Sequence, residues 1–349
     1  MQRGRGLTKS ILDDRAYCMQ SCQSPPVRPT PRTLFESCSL LVLYLDDHAV
    51  RQALEPRELV DVMETVFRDL GVGRAASTIR VRAATDGAMA SAMAAALPSL
   101  GVSGGKVYAT VDGRFTFHVV LFDLEGSLVC ALDGAALTEA RTPALCAVAI
   151  RHFGPTDIEV AAVLGTGREA LAHLKMLHAE LPGVELRLWG RRPEAVVLLC
   201  AECDRNGISV TTHDTAEAAV DDADVVVTVT SADAPIVDST AIAGRALICA
   251  VGATKPQRCE IDSALFARSA SVVTDSAAGA PNECGDLIHA VSAGAIDWTE
   301  VLDLSDVLAG RVTVERAGVS GPVVFETQGV AAQDVAAAAM VWRRVSDVG

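Results

Sequence analysis

The chain has 349 residues, of which half are hydrophobic and 21% are charged, so it is too apolar for general disorder and long enough for two domains. Its 44 acidic residues outnumber its 30 Lys and Arg residues, and the net charge of −14 argues against a nucleic-acid-binding surface. No apolar run approaches the roughly 18 residues of a membrane helix. Ten scattered cysteines, with Cys200 and Cys203 as a lone CxxC, indicate reduced thiols in a cytoplasmic protein and no metal site.

The pattern of apolar residues in the first part of the chain predicts an α+β domain. Residues 1–38 are basic and contain several prolines without a period, which predicts a disordered tail. Apolar runs and helical spacing then predict a strand at 40–45, a helix at 58–70, and strands at 78–84, 105–111, 115–123 and 127–132. Thr138 is a suitable N-cap for a helix that continues to about residue 152.

After residue 154 short apolar strands alternate with helices. Strands are predicted at 158–164, 184–189, 208–212, 224–229, 246–251 and 271–274, and this alternation is typical of βαβ units on a parallel sheet. Strands at 312–314 and 323–325 and a helix at 331–345 follow. We therefore expect an α/β fold, in which a Rossmann domain (154–310) is inserted into a split α+β substrate and dimerisation domain (39–153 plus 311–349).

A dinucleotide fingerprint follows the strand at 158–164 and opens a helix. Its cofactor-binding residues are Gly165, Thr166, Gly167, Arg168 and Ala170. The first glycine permits the tight turn, the second lets the backbone approach a pyrophosphate, and the small alanine permits close contact between helix and strand. The phosphates are expected at the helix N-terminus, where free N–H groups favour anions.

The end of the second Rossmann strand indicates which cofactor is bound. NAD enzymes usually have an acidic residue here, which accepts from the ribose 2′-hydroxyl. This chain has Gly190 followed by Arg191 and Arg192, and two guanidinium groups suit a 2′-phosphate. We predict NADPH as the cofactor, with NADH less favoured.

With this domain placed, the flanking segments resemble the ornithine cyclodeaminase/mu-crystallin family. The resemblance runs from about Arg80 to Asp334 and rests on the order of several short motifs: Leu132-Asp133-Gly134, Leu137-Thr138-Glu139-Ala140-Arg141-Thr142, Ala223-Asp224-Val225, Thr228-Val229-Thr230, Ala250-Val251-Gly252-Ala253, Glu283-Cys284-Gly285-Asp286 and Gln328-Gly329-Val330.

The resemblance implies a homodimer whose active site contains two arginines and a lysine. Lys106 and Arg141 match two of these positions, and Arg80 matches the third, with Arg82 as its rival on the same strand face. Arginine can clamp a substrate carboxylate, and a lysine beside an imine can deliver a proton. The resemblance also places further cofactor contacts at Thr228, Val229, Thr230, Val251, Gly252, Gly329 and Val330.

Thr254 separates the chemistries of the family. Cyclodeaminases of this family have an aspartate at this position, whereas ketimine reductases have a small hydroxyl residue, so Thr254 favours reduction. We expect an NADPH-dependent reductase of imino acids that yields a cyclic amino acid such as proline or pipecolate. The alternatives are an ornithine cyclodeaminase that uses NAD and a non-catalytic binding protein. The segments 93–95 and 112–118 depart from the family pattern beside the expected substrate.

Overall fold

The structure is a computed structural model that describes residues 42–112 and 114–346. The tail predicted at 1–38 lies outside the described residues. The described part of the chain contains a mixed sheet, a larger parallel sheet and a two-stranded sheet. The α/β class is therefore confirmed.

A seven-stranded sheet forms from the first part of the chain. Its strands are β1 (Leu43–Leu45), β2 (Ala76–Ser77), β3 (Val81–Thr85), β4 (Ala88–Leu97), β5 (Val102–Val111), β6 (Arg114–Asp123) and β7 (Leu128–Asp133). The order is β1-β7-β6-β5-β4-β2, with β3 beside β4, and all pairs are antiparallel except β1 with β7. The helices in this part of the chain are α1 (Asp47–Ala53), α2 (Pro56–Gly71) and α3 (Ala135–Phe153).

An eight-stranded parallel sheet follows. Its strands are β8 (Val160–Leu164), β9 (Glu185–Trp189), β10 (Thr211–Thr212), β11 (Val225–Thr228), β13 (Leu247–Ala250), β15 (Ser271–Thr274), β16 (Val301–Asp303) and β17 (Val323–Glu326). Their order is β10-β9-β8-β11-β13-β17-β15-β16, while β12 (Asp233–Val237) and β14 (Cys259–Ile261) pair separately. The helices are α4 (Arg168–Glu180), α5 (Pro193–Arg205), α6 (Ala216–Val220), α7 (Ser263–Arg268), α8 (Ala280–Glu283), α9 (Gly285–Ser292), α10 (Leu304–Leu308) and α11 (Ala331–Ser346).

The strand β17 corrects the predicted domain boundary. From the sequence, residues 311–349 were expected in the substrate domain, but β17 lies between β13 and β15 in the middle of the parallel sheet. All four of its residues are buried, as expected for a central parallel strand covered on both faces. The chain leaves this sheet only after β17, and α11 then packs on β4 and β5 of the other sheet.

Other predicted elements also need correction. The strand predicted at 312–314 is irregular, and β10 occupies only the end of the strand predicted at 208–212. The helix α3 begins at Ala135 with Gly134 as its N-cap, so Thr138 lies inside the helix rather than at its start. Within the described ranges, no helix has the length and apolarity needed to cross a membrane.

Candidate active site

A cleft of about 930 Å³ lies between the two larger sheets. One side is formed by the turns that follow β8, β9, β11 and β13, because the carboxyl ends of parallel strands meet at one edge of a sheet. The other side is the inner face of the antiparallel sheet, from which the side chains of β3, β4, β5 and β6 project. The fold thus joins the fingerprint and the predicted catalytic residues in one cavity.

The fingerprint turn fits a dinucleotide. Gly165 has φ +145°, and a Cβ on it would lie 2.5 Å from the Val229 carbonyl oxygen. A Cβ on Gly167 would meet nothing within 4 Å, and no side chain caps the helix α4 that begins after it. Gly190 lies so close to Thr166 that a Cβ there would be 2.3 Å from a side-chain carbon. The first N–H groups of α4 are therefore accessible to a pyrophosphate.

The two arginines after β9 are available for an anion. Arg191 and Arg192 are exposed and line the cleft, and neither has an ion-pair partner in the described part of the chain. Arg168 also lines the cleft, 3.4 Å from the carboxylate of Glu139. The fingerprint end of the cleft is thus cationic on its exposed rim.

Not every predicted cofactor residue reaches the cleft. Eleven of the fifteen line it: Gly165, Thr166, Gly167, Arg168, Gly190, Arg191, Arg192, Val229, Thr230, Val251 and Gly252.

The structure places the remaining four elsewhere. Ala170 and Thr228 are buried behind the lining residues, and Gly329 lies against the guanidinium of Arg141. Neither Gly329 nor Val330 is among the residues that line the cleft. Their contact with a cofactor stays a prediction.

Lys106 is buried at the floor of the cleft. Its Nζ donates hydrogen bonds to the Asp334 carboxylate at 2.8 Å and to the Thr138 hydroxyl at 2.7 Å. Burial lowers the pKa of Lys106 to about 8, although the Asp334 carboxylate opposes this change. Thr138, the fourth residue of α3, therefore accepts a hydrogen bond from Lys106 within the site and is not the helix cap that the sequence predicted.

Asp334 joins Lys106 to Arg141. It is fully buried in α11, and Arg141 Nε lies 3.5 Å from the oxygen that accepts from Lys106. Burial alone would raise the pKa of Asp334, but the two cations outweigh it and hold the pKa below its ordinary value. Arg141 also donates to the Gln333 side-chain oxygen at 2.8 Å. The cluster carries two cations and one anion, which leaves a net positive charge for an anionic substrate.

Arg80 and Arg82 share a second buried carboxylate. Arg80 donates to Glu283 at 2.6 Å and to the backbone oxygens of Gln328 and Gly329. Arg82 lies 2.8 Å from the other Glu283 oxygen, and its side chain is 31% exposed against 7% for Arg80. Both arginines line the cleft, so the structure brings together both candidates for the substrate carboxylate.

The turn after β13 carries Thr254 into the cleft, and a buried acid supports it. Glu260 accepts hydrogen bonds from the Gly252 and Thr230 N–H groups at 2.7 and 2.5 Å and from the Thr228 hydroxyl at 3.1 Å. Burial, together with the nearby Asp286 charge, raises the pKa of Glu260 to about 7. Glu260 thus ties together the two loops at the ends of β11 and β13.

Glu169 is a further acid that the sequence analysis did not single out. It is the second residue of α4, lines the cleft, and has a buried oxygen without a hydrogen-bond partner among the described residues. Burial raises the pKa of Glu169 to about 7, although the nearby Arg141 opposes the change. Asp334 was also missed, yet it is the one acid in the apolar run from 331 to 341, and that isolation was a usable signal.

Comparisons with known proteins give the same placement. Residues 43–349 match the model of the ornithine cyclodeaminase/mu-crystallin family. The chain is 37% identical over 238 residues to a Delta(1)-pyrroline-2-carboxylate/Delta(1)-piperideine-2-carboxylate reductase of Azospirillum brasilense, covering 67% of this chain and 71% of the relative. It is 32% identical over 225 residues to the mouse (Mus musculus) ketimine reductase mu-crystallin, covering 64% and 68%.

A solved structure agrees over a longer range. The iminosuccinate reductase of Paracoccus denitrificans, in complex with NAD⁺, superposes with a TM-score of 0.81 at 25% identity, covering 88% of this chain and 97% of that chain. The fold, the fingerprint turn and the Lys106–Asp334–Arg141 cluster are thus seen together with a family match over nearly the whole described chain. This chain belongs to the ornithine cyclodeaminase/mu-crystallin family.

Proposed function

We propose that this protein is an oxidoreductase that reduces the C=N bond of α-imino acids with a nicotinamide cofactor. The observation that carries the proposal is the buried cluster of Lys106, Asp334 and Arg141 in one cleft with the fingerprint turn. The Azospirillum brasilense relative is a Delta(1)-pyrroline-2-carboxylate/Delta(1)-piperideine-2-carboxylate reductase and the mouse relative is a ketimine reductase. We extend imine reduction to this chain, with proline or pipecolate as expected products.

The residues of the cleft have separate roles in imine reduction. The nicotinamide, when bound, supplies a hydride for the imine carbon. Arg141, with Arg80 or Arg82, holds the substrate carboxylate, because guanidinium groups bind carboxylates in two parallel hydrogen bonds. Lys106 delivers a proton to the nitrogen, and its pKa of about 8 leaves it protonated at neutral pH but able to release the proton. Asp334 holds Lys106 in place and supports its charged form.

The cofactor is a nicotinamide dinucleotide, for which we propose NADPH. Arg191 and Arg192 are free on the rim where a ribose 2′-phosphate is expected, and no acid occupies this strand end. We also propose that the Rossmann part extends from residue 154 through β17, because β17 lies within the parallel sheet, and that the substrate part comprises residues 42–153 and α11.

We also propose a homodimer in the cytoplasm. The outward face of the antiparallel sheet exposes a row of apolar and small side chains, including Val81, Ala92 and Val107, which are neighbours in the sheet register. A sheet face with exposed apolar side chains is typical of an interface between identical subunits. The seven cysteines in the described ranges are free thiols, as expected in a reducing compartment.

The direct test is NADPH oxidation with a panel of cyclic and linear imino acids. We expect turnover by the wild type and a loss of about two to four orders of magnitude in Lys106→Met, the usual contribution of a positioned acid. NADPH affinity should change little in this variant, because the fingerprint turn is untouched. Absence of turnover with every imine, despite NADPH binding, would support the binding-protein alternative, and ammonia release from ornithine would support the cyclodeaminase.

A further inference from the structure

One wall of the cleft is apolar and largely aromatic. It consists of Met89 and Met93 from β4, Tyr108 from β5, and Phe115 and Phe117 from β6, and we call it the aromatic wall. The ring centroids of Tyr108 and Phe117 are 5.1 Å apart, and Phe115 stacks on Phe117 at 5.7 Å with 6° between their planes. Strand alternation places these side chains on the same sheet face as Lys106.

The aromatic wall begins at the reacting groups. Lys106 Nζ lies 4.6 Å from the centroid of the Phe117 ring, and the Arg80 guanidinium carbon lies 6.0 Å from the centroid of Tyr108. A substrate whose carboxylate and nitrogen meet these cations therefore has the rings within reach of its carbon side chain. Phe115 continues the wall outward, because its ring lines the cleft while 48% of it is exposed.

The chemistry of the aromatic wall does not suit a second ammonium group on the substrate. In the described part of the chain, the acids that line the cleft are Glu139 in α3 and Glu169 in α4, and neither belongs to the strands that form the aromatic wall. Glu139 already pairs with Arg51 at 2.6 Å. A substrate ammonium placed on the aromatic wall would lose water without gaining a carboxylate, whereas an apolar group would be stabilised by burial.

We propose that, among α-imino acids, the site prefers those that carry a large apolar, especially aromatic, side chain, and that the aromatic wall selects them. The inference rests on the proposed function and names the substrate class of that same site. The C=N carbon receives a hydride from NADPH, the nitrogen receives a proton, and the products are the corresponding α-amino acid and NADP⁺. The side chain itself takes no part in bond formation and contributes binding energy beside the reacting centre.

The test compares imines that differ only in the side chain. Phenylpyruvate with methylamine supplies an imine whose C=N carbon carries a benzyl group (the aryl imine). Pyruvate with methylamine supplies one whose C=N carbon carries a methyl group (the methyl imine), and Δ1-pyrroline-2-carboxylate supplies a small ring. We expect kcat/KM for the aryl imine to exceed that for the methyl imine by about tenfold or more, since even one methylene in an apolar pocket gives about 10- to 200-fold discrimination. A wild type that prefers the methyl imine or the small ring would overturn the inference and leave imine reduction established.

Phe115→Ala isolates the contribution of the aromatic wall. The ring is half exposed, so its removal should leave the fold intact, and the aryl-to-methyl ratio of kcat/KM should fall by about tenfold. Phe115→Leu, which retains an apolar side chain, should restore part of the ratio. Leu124→Ala, a control at an exposed turn outside the cleft, should keep the wild-type ratio. An equal loss with both imines in Phe115→Ala would contradict selection by the wall.

Discussion

At the scale of single residues, the site depends on a few buried charges whose pKa values control one another. Lys106 and Arg141 are held in a nearly dry environment by one carboxylate, and an isolated charge there would be strongly disfavoured. The sequence indicated both cations but not their counter-ion, because Asp334 lies 228 residues from Lys106 and only the fold brings them together. Residue patterns alone do not reveal which charged residues of distant elements pair in the fold.

Asp334→Asn tests this coupling through the pH dependence of the reduction. With Lys106 as the proton donor, wild-type kcat/KM should fall as the pH rises through about 8, the pKa of the lysine. Because the carboxylate favours the protonated lysine, its loss lowers this pKa and moves the decline to lower pH. Thr138→Val removes a neutral acceptor of the same lysine and should move the profile less. A decline that stays near pH 8 in Asp334→Asn would show that the pair does not control the proton donor.

Arg191→Asp tests the proposed cofactor preference. The substitution removes a cation from the expected 2′-phosphate position and supplies an acceptor for a ribose 2′-hydroxyl. The ratio of the KM values for NADPH and NADH should therefore shift towards NADH, by about tenfold or more if one charge-assisted contact of about 1.5–3 kcal/mol is lost. Arg187→Asp, on the strand before it, is a control that should not alter the ratio. Equal affinity of the wild type for both cofactors would contradict the role of the arginine.

At the scale of elements, the local sequence predicted helices and strands correctly where the hydrophobic periodicity was strong. It failed where packing against distant elements determined the structure. The fingerprint, α2 and the Rossmann strands follow from apolar runs and helical spacing. The sequence Ala88–Leu97, by contrast, contains six alanines, which favour helix, yet it forms β4 between β3 and β5. Its small side chains let the alanine-rich α11 pack closely on the sheet, and that partner is more than 230 residues away.

Gly71 supplies an element-scale prediction. It ends α2 where this helix meets α10, and a Cβ would lie 2.0 Å from the Ser305 carbonyl oxygen. Gly71→Ala should lower the free energy of unfolding by about 1–3 kcal/mol, since overpacking outweighs the better helix propensity of alanine. Urea denaturation measures the change. Gly244→Ala, where a Cβ meets nothing within 4 Å, is the matched control and should be nearly neutral. Equal stability of the two variants would show that the helices separate without cost.

At the scale of the whole molecule, both sheets are needed to complete one site, and among the described residues the outer face of the antiparallel sheet has exposed apolar side chains. The sequence predicted the two-part architecture and the inserted Rossmann part. It assigned residues 323–326 to the wrong sheet, because an apolar run predicts a strand but does not reveal which sheet the strand joins. The proposed dimer would cover the apolar outer face of the antiparallel sheet.

Val107→Asp tests the assembly. Val107 lies near the centre of the outer face and is 52% exposed, so the aspartate is tolerated by the folded monomer but is costly within an interface. Sedimentation equilibrium at micromolar concentration should show a dimer for the wild type and a monomer for the variant. Leu198→Asp, at an exposed position of α5, should remain dimeric. A monomeric wild type would refute the assembly.

The central position of β17 has a consequence for how the chain is made. The strands β8, β9, β10, β11 and β13 form one half of the parallel sheet, β15 and β16 form the other, and β17 alone connects them. During synthesis the ribosome must release residues 323–326 before the two halves can join, so the cofactor-binding part matures only when nearly the whole chain has emerged. Until then, apolar strand edges at β13 and β15 remain open, and a nascent chain stalled before β17 is an expected client of chaperones.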